Sequence, residues 1–188
     1  MKTKIGLLAI LMLLSIALSP SLFSLAVLLS AFLHELGHIA AAKLLKIELK
    51  ELSIGAFGAG LTPSSSLFSF KKEILLCAAG PLVNLVCFLI LLPFKNLFLN
   101  YVSVASLFLG ALNLLPITSF DGGRILYSFI SRYFTPRTAL NITRFLSFIF
   151  IFSLWCFSLY LLMRVAISLS LFIFSCSLFL KIFLSESA

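Results

Sequence analysis

The sequence predicts an all-α, polytopic membrane protein of about six transmembrane helices, with a short membrane-associated strand or hairpin after the second. Apolar residues make up 62% of the 188 positions and charged residues only 11%, with a mean hydropathy of +1.21, which no soluble domain of this length carries. The apolar residues also gather into discrete stretches near the roughly 20 residues that a span requires. Basic residues fall at alternate ends of those stretches, as the positive-inside rule demands of a multi-pass chain.

The first stretch, Ile5–Leu18, is short, and Lys2 and Lys4 before it give it something of the shape of a signal peptide. A retained span is the reading adopted. Leu22–Leu44 is the second span and contains both histidines of the chain. The interval from Glu48 to Leu61 is too polar at first, and then too rich in glycine, for a span. Its loose alternation predicts a strand or hairpin beside the membrane, with a flexible cytoplasmic loop as the alternative. Thr62 to Ser66 reads as loop. Ile74–Leu92 and Leu97–Pro116 are the third and fourth spans. Leu140–Met163 and Val165–Phe183 are the fifth and sixth, with Arg164 at their join.

Threading six spans from a cytoplasmic N-terminus places Lys2, Lys4, Lys43, Lys46, Lys50, Lys71, Lys72, Arg124, Arg132, Arg137, Arg144 and Lys181 inside. Only Lys95 and Arg164 fall outside, so both termini are expected in the cytoplasm. The net charge of +8 is spread over these flanks, and no basic domain is present to grip nucleic acid. Cys77, Cys87, Cys156 and Cys176 lie in separate apolar segments without a CxxC pair or a secreted disulfide pattern. They read as small buried apolar residues.

Within the second span stands His34-Glu35-Leu36-Gly37-His38. Histidines four apart share one face of a helix, the spacing at which two imidazoles hold one Zn²⁺. The intervening Glu35 then lies beside the metal, where it can take a proton from water. Titratable groups at membrane depth are costly and mark function. Catalytic zinc usually takes a third protein ligand, and the chain has no third histidine. Glu48, Glu51 and Glu73 sit among lysines as interfacial charges, and Glu186 lies in the terminal tail. Asp121, the only aspartate, opens Asp121-Gly122-Gly123 after Asn113-Leu114-Leu115-Pro116, where proline and two glycines break the helix. It is either a capping residue of a cytoplasmic turn or a metal ligand. The threading brings it and His38 toward the same cytoplasmic side, where one ion could be shared.

These motifs, with Ala79-Gly80-Pro81-Leu82-Val83-Asn84 between them and in this order, resemble the site-2 protease family of intramembrane zinc metalloproteases. The likeness covers roughly Leu22 to Phe134. It implies that His34, His38 and Asp121 hold one Zn²⁺ per chain and that Glu35 is the general base. It also implies that Asn84 and Asn113 lie near the active site, to orient substrate or donate to a developing oxyanion. Interhelical hydrogen bonds are the alternative for both asparagines. The family has a sheet comparable to the strand read here, so Ile54, Gly55, Ala56 and Phe57 are expected to bind unwound substrate by β-augmentation. The interval from Asn84 to Asn113 is too short for the PDZ domain of some members, and no CBS domain follows the last apolar stretch. The likeness is to the compact branch that includes the sporulation protease acting on a pro-sigma factor.

The expectation is thus one integral membrane protease domain over 1–188, with a catalytic core at about 22–134 and accessory segments at 1–21 and 135–188. Its function would be regulated intramembrane proteolysis, cleaving a membrane-protein substrate within or near its single transmembrane span. It would lie in the cell membrane with its active site toward the cytoplasm. The lipid bilayer is the other partner, nucleic acid is not one, and a membrane regulator or a second copy stays open. Two other readings are a non-proteolytic metal-binding scaffold of the same fold and a small transporter. Transport folds usually carry internal repeats, and none is evident.

Overall fold

The computed structural model describes residues 2–5, 21–47, 49–55, 58–63, 69–165, 172–173 and 175–179. Along them run β1 (Lys2–Ile5), α1 (Leu22–Leu44), β2 (Leu49–Gly55), β3 (Gly58–Pro63), α2 (Phe70–Leu91), α3 (Leu97–Asn113), α4 (Asp121–Ser131) and α5 (Pro136–Val165). α1, α2 and the part of α5 from Pro136 to Arg164 are long and apolar enough to cross a membrane, and α3 is a shorter apolar helix.

Local chemistry sets the helix ends. Ser21 and Ser24 form a capping box at α1, with Ser24 N donating to Ser21 Oγ (3.0 Å) and Ser21 N to Ser24 Oγ (2.9 Å). α1 closes at Lys46, whose φ of 53° is left-handed, so that Ile47 N reaches Ala42 O at 2.9 Å. Asn96 caps α3 by accepting from Phe98 N (2.9 Å) and Leu99 N (3.2 Å). Pro136 takes the first position of α5, where its missing N–H costs nothing, so α5 starts before the expected Leu140.

α1, α2 and α3 pack on one another, α4 packs on α2, and α5 on α4. Small side chains make the close approach feasible, as in other membrane bundles. Ala26, Ser30, His34, His38 and Ala42 of α1 recur every fourth residue and are buried as one stripe. Ser30 Oγ donates to Val102 O of α3 (3.2 Å) and meets Ser106 Oγ at 3.0 Å. Ser103 Oγ of α3 donates to Phe88 O of α2 (3.1 Å). Large residues such as Phe32, Leu89, Phe108 and Phe145 face outward, where lipid would cover them.

The hairpin expected over 48–61 is present as β2 and β3, which pair antiparallel with Leu52 opposite Leu61 and Ile54 opposite Ala59. A third strand was not foreseen. β1 pairs parallel to β2, with Lys2 opposite Glu51 and Ile5 opposite Ile54, so the order is β1-β2-β3. Ile5, read as the start of the first span, is therefore strand, and the rest of that span lies outside the described residues. Most of the sixth span does too. The fourth span is shorter than read: α3 ends at Asn113 because Pro116 bars helix at Leu115, and the chain turns through residues 114–120. The four cysteines are free; only Cys77 is buried as expected, while Cys87 and Cys176 are half-buried and Cys156 is exposed on α5.

Candidate metal centre

His34 and His38 project from the buried stripe of α1, each only 4% exposed. Asp121, the first residue of α4, reaches them from across the bundle. Its Oδ2 lies 3.1 Å from His34 Nε2 and 3.2 Å from His38 Nε2, and the two Nε2 atoms are 3.2 Å apart. The three residues form a group that could hold a metal ion.

The residues fit zinc. Bonds of about 2.0–2.1 Å separate the ligand atoms of a tetrahedron by about 3.3–3.4 Å, close to this triangle. Two neutral imidazoles and one carboxylate are also a donor set that zinc favours. Glycine makes the space: a Cβ on Gly80 of α2 would run into His38 Nε2, and would come within 2.7 Å of His34 Nε2. Gly37 makes similar room on the α1 side, where a Cβ would stand 2.8 Å from Ala79 O.

Both outer ring nitrogens are held by α2. His38 Nδ1 lies 2.8 Å from Leu76 O, and His34 Nδ1 lies 3.1 Å from the Asn84 amide. Such partners fix ring orientation and tautomer in metal sites. A backbone carbonyl carries no residue signature, so the Leu76 contact had no signal in the sequence. Gly80 did have one, within the Ala79–Asn84 motif.

The chain reaches Asp121 through a tight loop. Gly122 and Gly123 fold back on it, so closely that Cβ atoms would strike Leu114 O and Ile117 O. Ile117 and Phe120 are buried against Ile151 and Leu178. Ser147 of α5 pins the same loop: its Oγ accepts from Thr118 N (2.9 Å) and stands 3.1 Å from Pro116 O. α5 lies in the segment read as accessory, so this support was missed. Glu73, read as a solvated charge, instead faces Arg124 at 3.4 Å, both partly buried.

The other expected site residues are placed as follows. Glu35 is half-buried on α1 and within electrostatic reach of His38. Asn84 is fully buried against His34. Asn113 ends α3, half-buried, its amide donating to Leu109 O (3.0 Å). Ile54 and Gly55 lie in β2, while Ala56 and Phe57 fall outside the described residues. The main chain of Ile54 is paired on both sides, to Ile5 and to Ala59, so strand addition there is blocked, and among the described residues the outer edges of β1 and β3 are the unpaired ones.

Comparison with known proteins finds a matching family segment, a curated relative and a solved structure of like fold. Residues 95–156 match Peptidase family M50, a segment that runs from the start of α3 into α5. A curated zinc metalloprotease of Methanocaldococcus jannaschii is 29% identical over 158 residues, covering 77% of this chain. The chain spans only 45% of that relative's length. Among solved structures, the site-2 protease from Methanocaldococcus jannaschii superposes with a TM-score of 0.66 over 97% of this chain and 90% of its own, at 21% identity, a likeness of fold. Family segment, curated relative and fold thus point the same way: the chain is similar to Peptidase family M50 over residues 95–156 and shares the fold of a site-2 protease.

Proposed function

We propose that this chain is a zinc-dependent intramembrane metalloprotease that cleaves a peptide bond within or near the transmembrane segment of a membrane-protein substrate. One observation carries the reading: side chains 87 residues apart in sequence, His34 and Asp121, converge with His38 on a single point inside an apolar bundle. Burying two imidazoles and a carboxylate there is costly unless they share a task.

A bound zinc ion would supply a water of lowered pKa and a Lewis acid for the scissile carbonyl. The remaining chemistry belongs to the chain. Glu35 accepts a proton from the attacking water as the new C–O bond forms, and returns it to the amide nitrogen as the C–N bond breaks. Asn113, at the helix end beside the Asp121 loop, orients substrate or donates to the developing oxyanion. An unwound substrate pairs with an outer edge of the sheet, the outer side of β3 being the one next to the expected segment. The site opens toward the cytoplasm and both termini lie on that side. Pairing of β1 with β2 supports this, because it joins the N-terminal stretch that holds Lys2 and Lys4 to the strand that follows the inner end of α1.

The test is reconstitution of the full chain with single-span substrates, with and without a chelator. Cleavage should require the metal. Glu35→Gln should lower it by at least about 100-fold while leaving zinc stoichiometry at one per chain. Equal cleavage by wild type and Glu35→Gln would remove the peptidase reading and favour a metal-binding scaffold.

A further inference from the structure

α2 carries a stripe at four-residue spacing, Leu76, Gly80 and Asn84, which lies flat against the histidine pair of α1. Each member meets the pair differently. The Leu76 carbonyl contacts His38 Nδ1 at 2.8 Å. Gly80 presents no side chain, and a Cβ there would collide with a ring nitrogen. Asn84 is fully buried and its amide meets His34 Nδ1 at 3.1 Å. The carbonyl can only accept, so His38 Nδ1 carries its proton and His38 Nε2 offers a lone pair to the triangle.

His34 needs the same tautomer if its Nε2 is to bind metal, and its Nδ1–H then needs an acceptor. The amide is placed with its nitrogen toward His34, and its Oδ1 is buried with no hydrogen-bond partner among the described residues. In that orientation Nδ1 would have to accept, and the proton would sit on Nε2, inside the triangle. Half a turn of the amide brings the orphaned oxygen to Nδ1–H. Amide oxygen and nitrogen differ little in shape, and their assignment follows the hydrogen-bond network around them. In the metal-free chain one Nε2 can carry a proton toward Asp121; a bound metal demands the other arrangement.

We propose that Asn84 is a positioning residue for His34, its side-chain oxygen accepting from Nδ1–H whenever Nε2 holds the metal. This replaces the substrate-contacting role expected of Asn84, and it rests on the metalloprotease reading above. α2 is then the template that fixes both imidazoles, one through a main-chain oxygen and one through a side-chain oxygen.

Zinc affinity of the full chain in detergent, measured by competition with a chelator of known affinity, tests the assignment without recourse to activity. Asn84→Leu keeps similar bulk and removes the acceptor; it should bind zinc about 10- to 100-fold more weakly. Asn84→Asp supplies only acceptor oxygens; it should bind at least as tightly as wild type, a rescue that loss of packing does not give. Wild-type affinity in Asn84→Leu overturns the proposal. So does a loss in folded Asn84→Asp, which would show that the amide acts as a donor. Should Asn84→Leu fail to fold, Asn84→Asp decides alone. Absence of zinc binding in wild type itself would strike the metalloprotease reading instead, so the two failures are distinguishable.

Discussion

His34, His38 and Asp121 bring three electron-rich atoms within 3.2 Å of one another in an apolar interior. Each atom is a good metal donor, and their mutual crowding is relieved when a cation sits between them. Replacing one oxygen of Asp121 with an amide keeps the shape and removes the charge. Asp121→Asn should therefore weaken zinc binding by on the order of 100-fold or more, measured against a competing chelator, with the helices intact by circular dichroism. The histidine pair was legible in the sequence because its spacing alone puts both rings on one helical face. Asp121 was legible as a candidate because it is the only aspartate and follows a helix break. The partners of the rings were less so. Asn84 entered only through the motif that resembles the site-2 proteases, and its contact with His34 depends on how α2 rotates against α1, which spacing within one helix cannot give.

At the scale of elements, the centre depends on how closely α2 and the loop before α4 can approach α1. Gly80→Ala places a methyl against both imidazoles and should abolish stoichiometric zinc binding while α1 and α2 stay helical, since alanine favours helix over glycine. Retained zinc in that variant would show that the rings have room to yield. Ser147→Ala removes the acceptor of Thr118 N and leaves a partly buried N–H unsatisfied. It should cost about 1–3 kcal/mol, read in thermal or denaturant unfolding in detergent, and should weaken zinc binding because the same loop delivers Asp121. The hairpin after α1 was readable from polar alternation followed by glycine. β1 was not, because a strand of four residues pairs by main-chain groups and its partner lies beyond a whole helix.

For the described residues as a whole, small residues dominate where α1, α2 and α3 meet and serine hydroxyls join these helices, while larger buried apolar residues gather around Ile117, Phe120, Ile151 and Leu178. On the proposed orientation, with the site toward the cytoplasmic face, mass mapping of products from an oriented single-span substrate should put the cut in the cytoplasmic half of its span. Cuts confined to the opposite half would contradict the threading of basic residues. The number of spans was readable only as far as apolar length allowed. Pro116 shortened the fourth, and Thr135 with Pro136 lengthened the fifth, both through backbone constraints that act several residues away.

Because the donors come from the first long helix and from a turn far along the chain, an ion held by them would act as a cross-link as well as a reagent. It would close a large loop of chain and tie α4, and through it α5, to α1. Whatever loads the metal would then also harden the protein against unfolding, in proportion to the logarithm of free metal over its dissociation constant. Assembly of the bundle and readiness for chemistry would become one event.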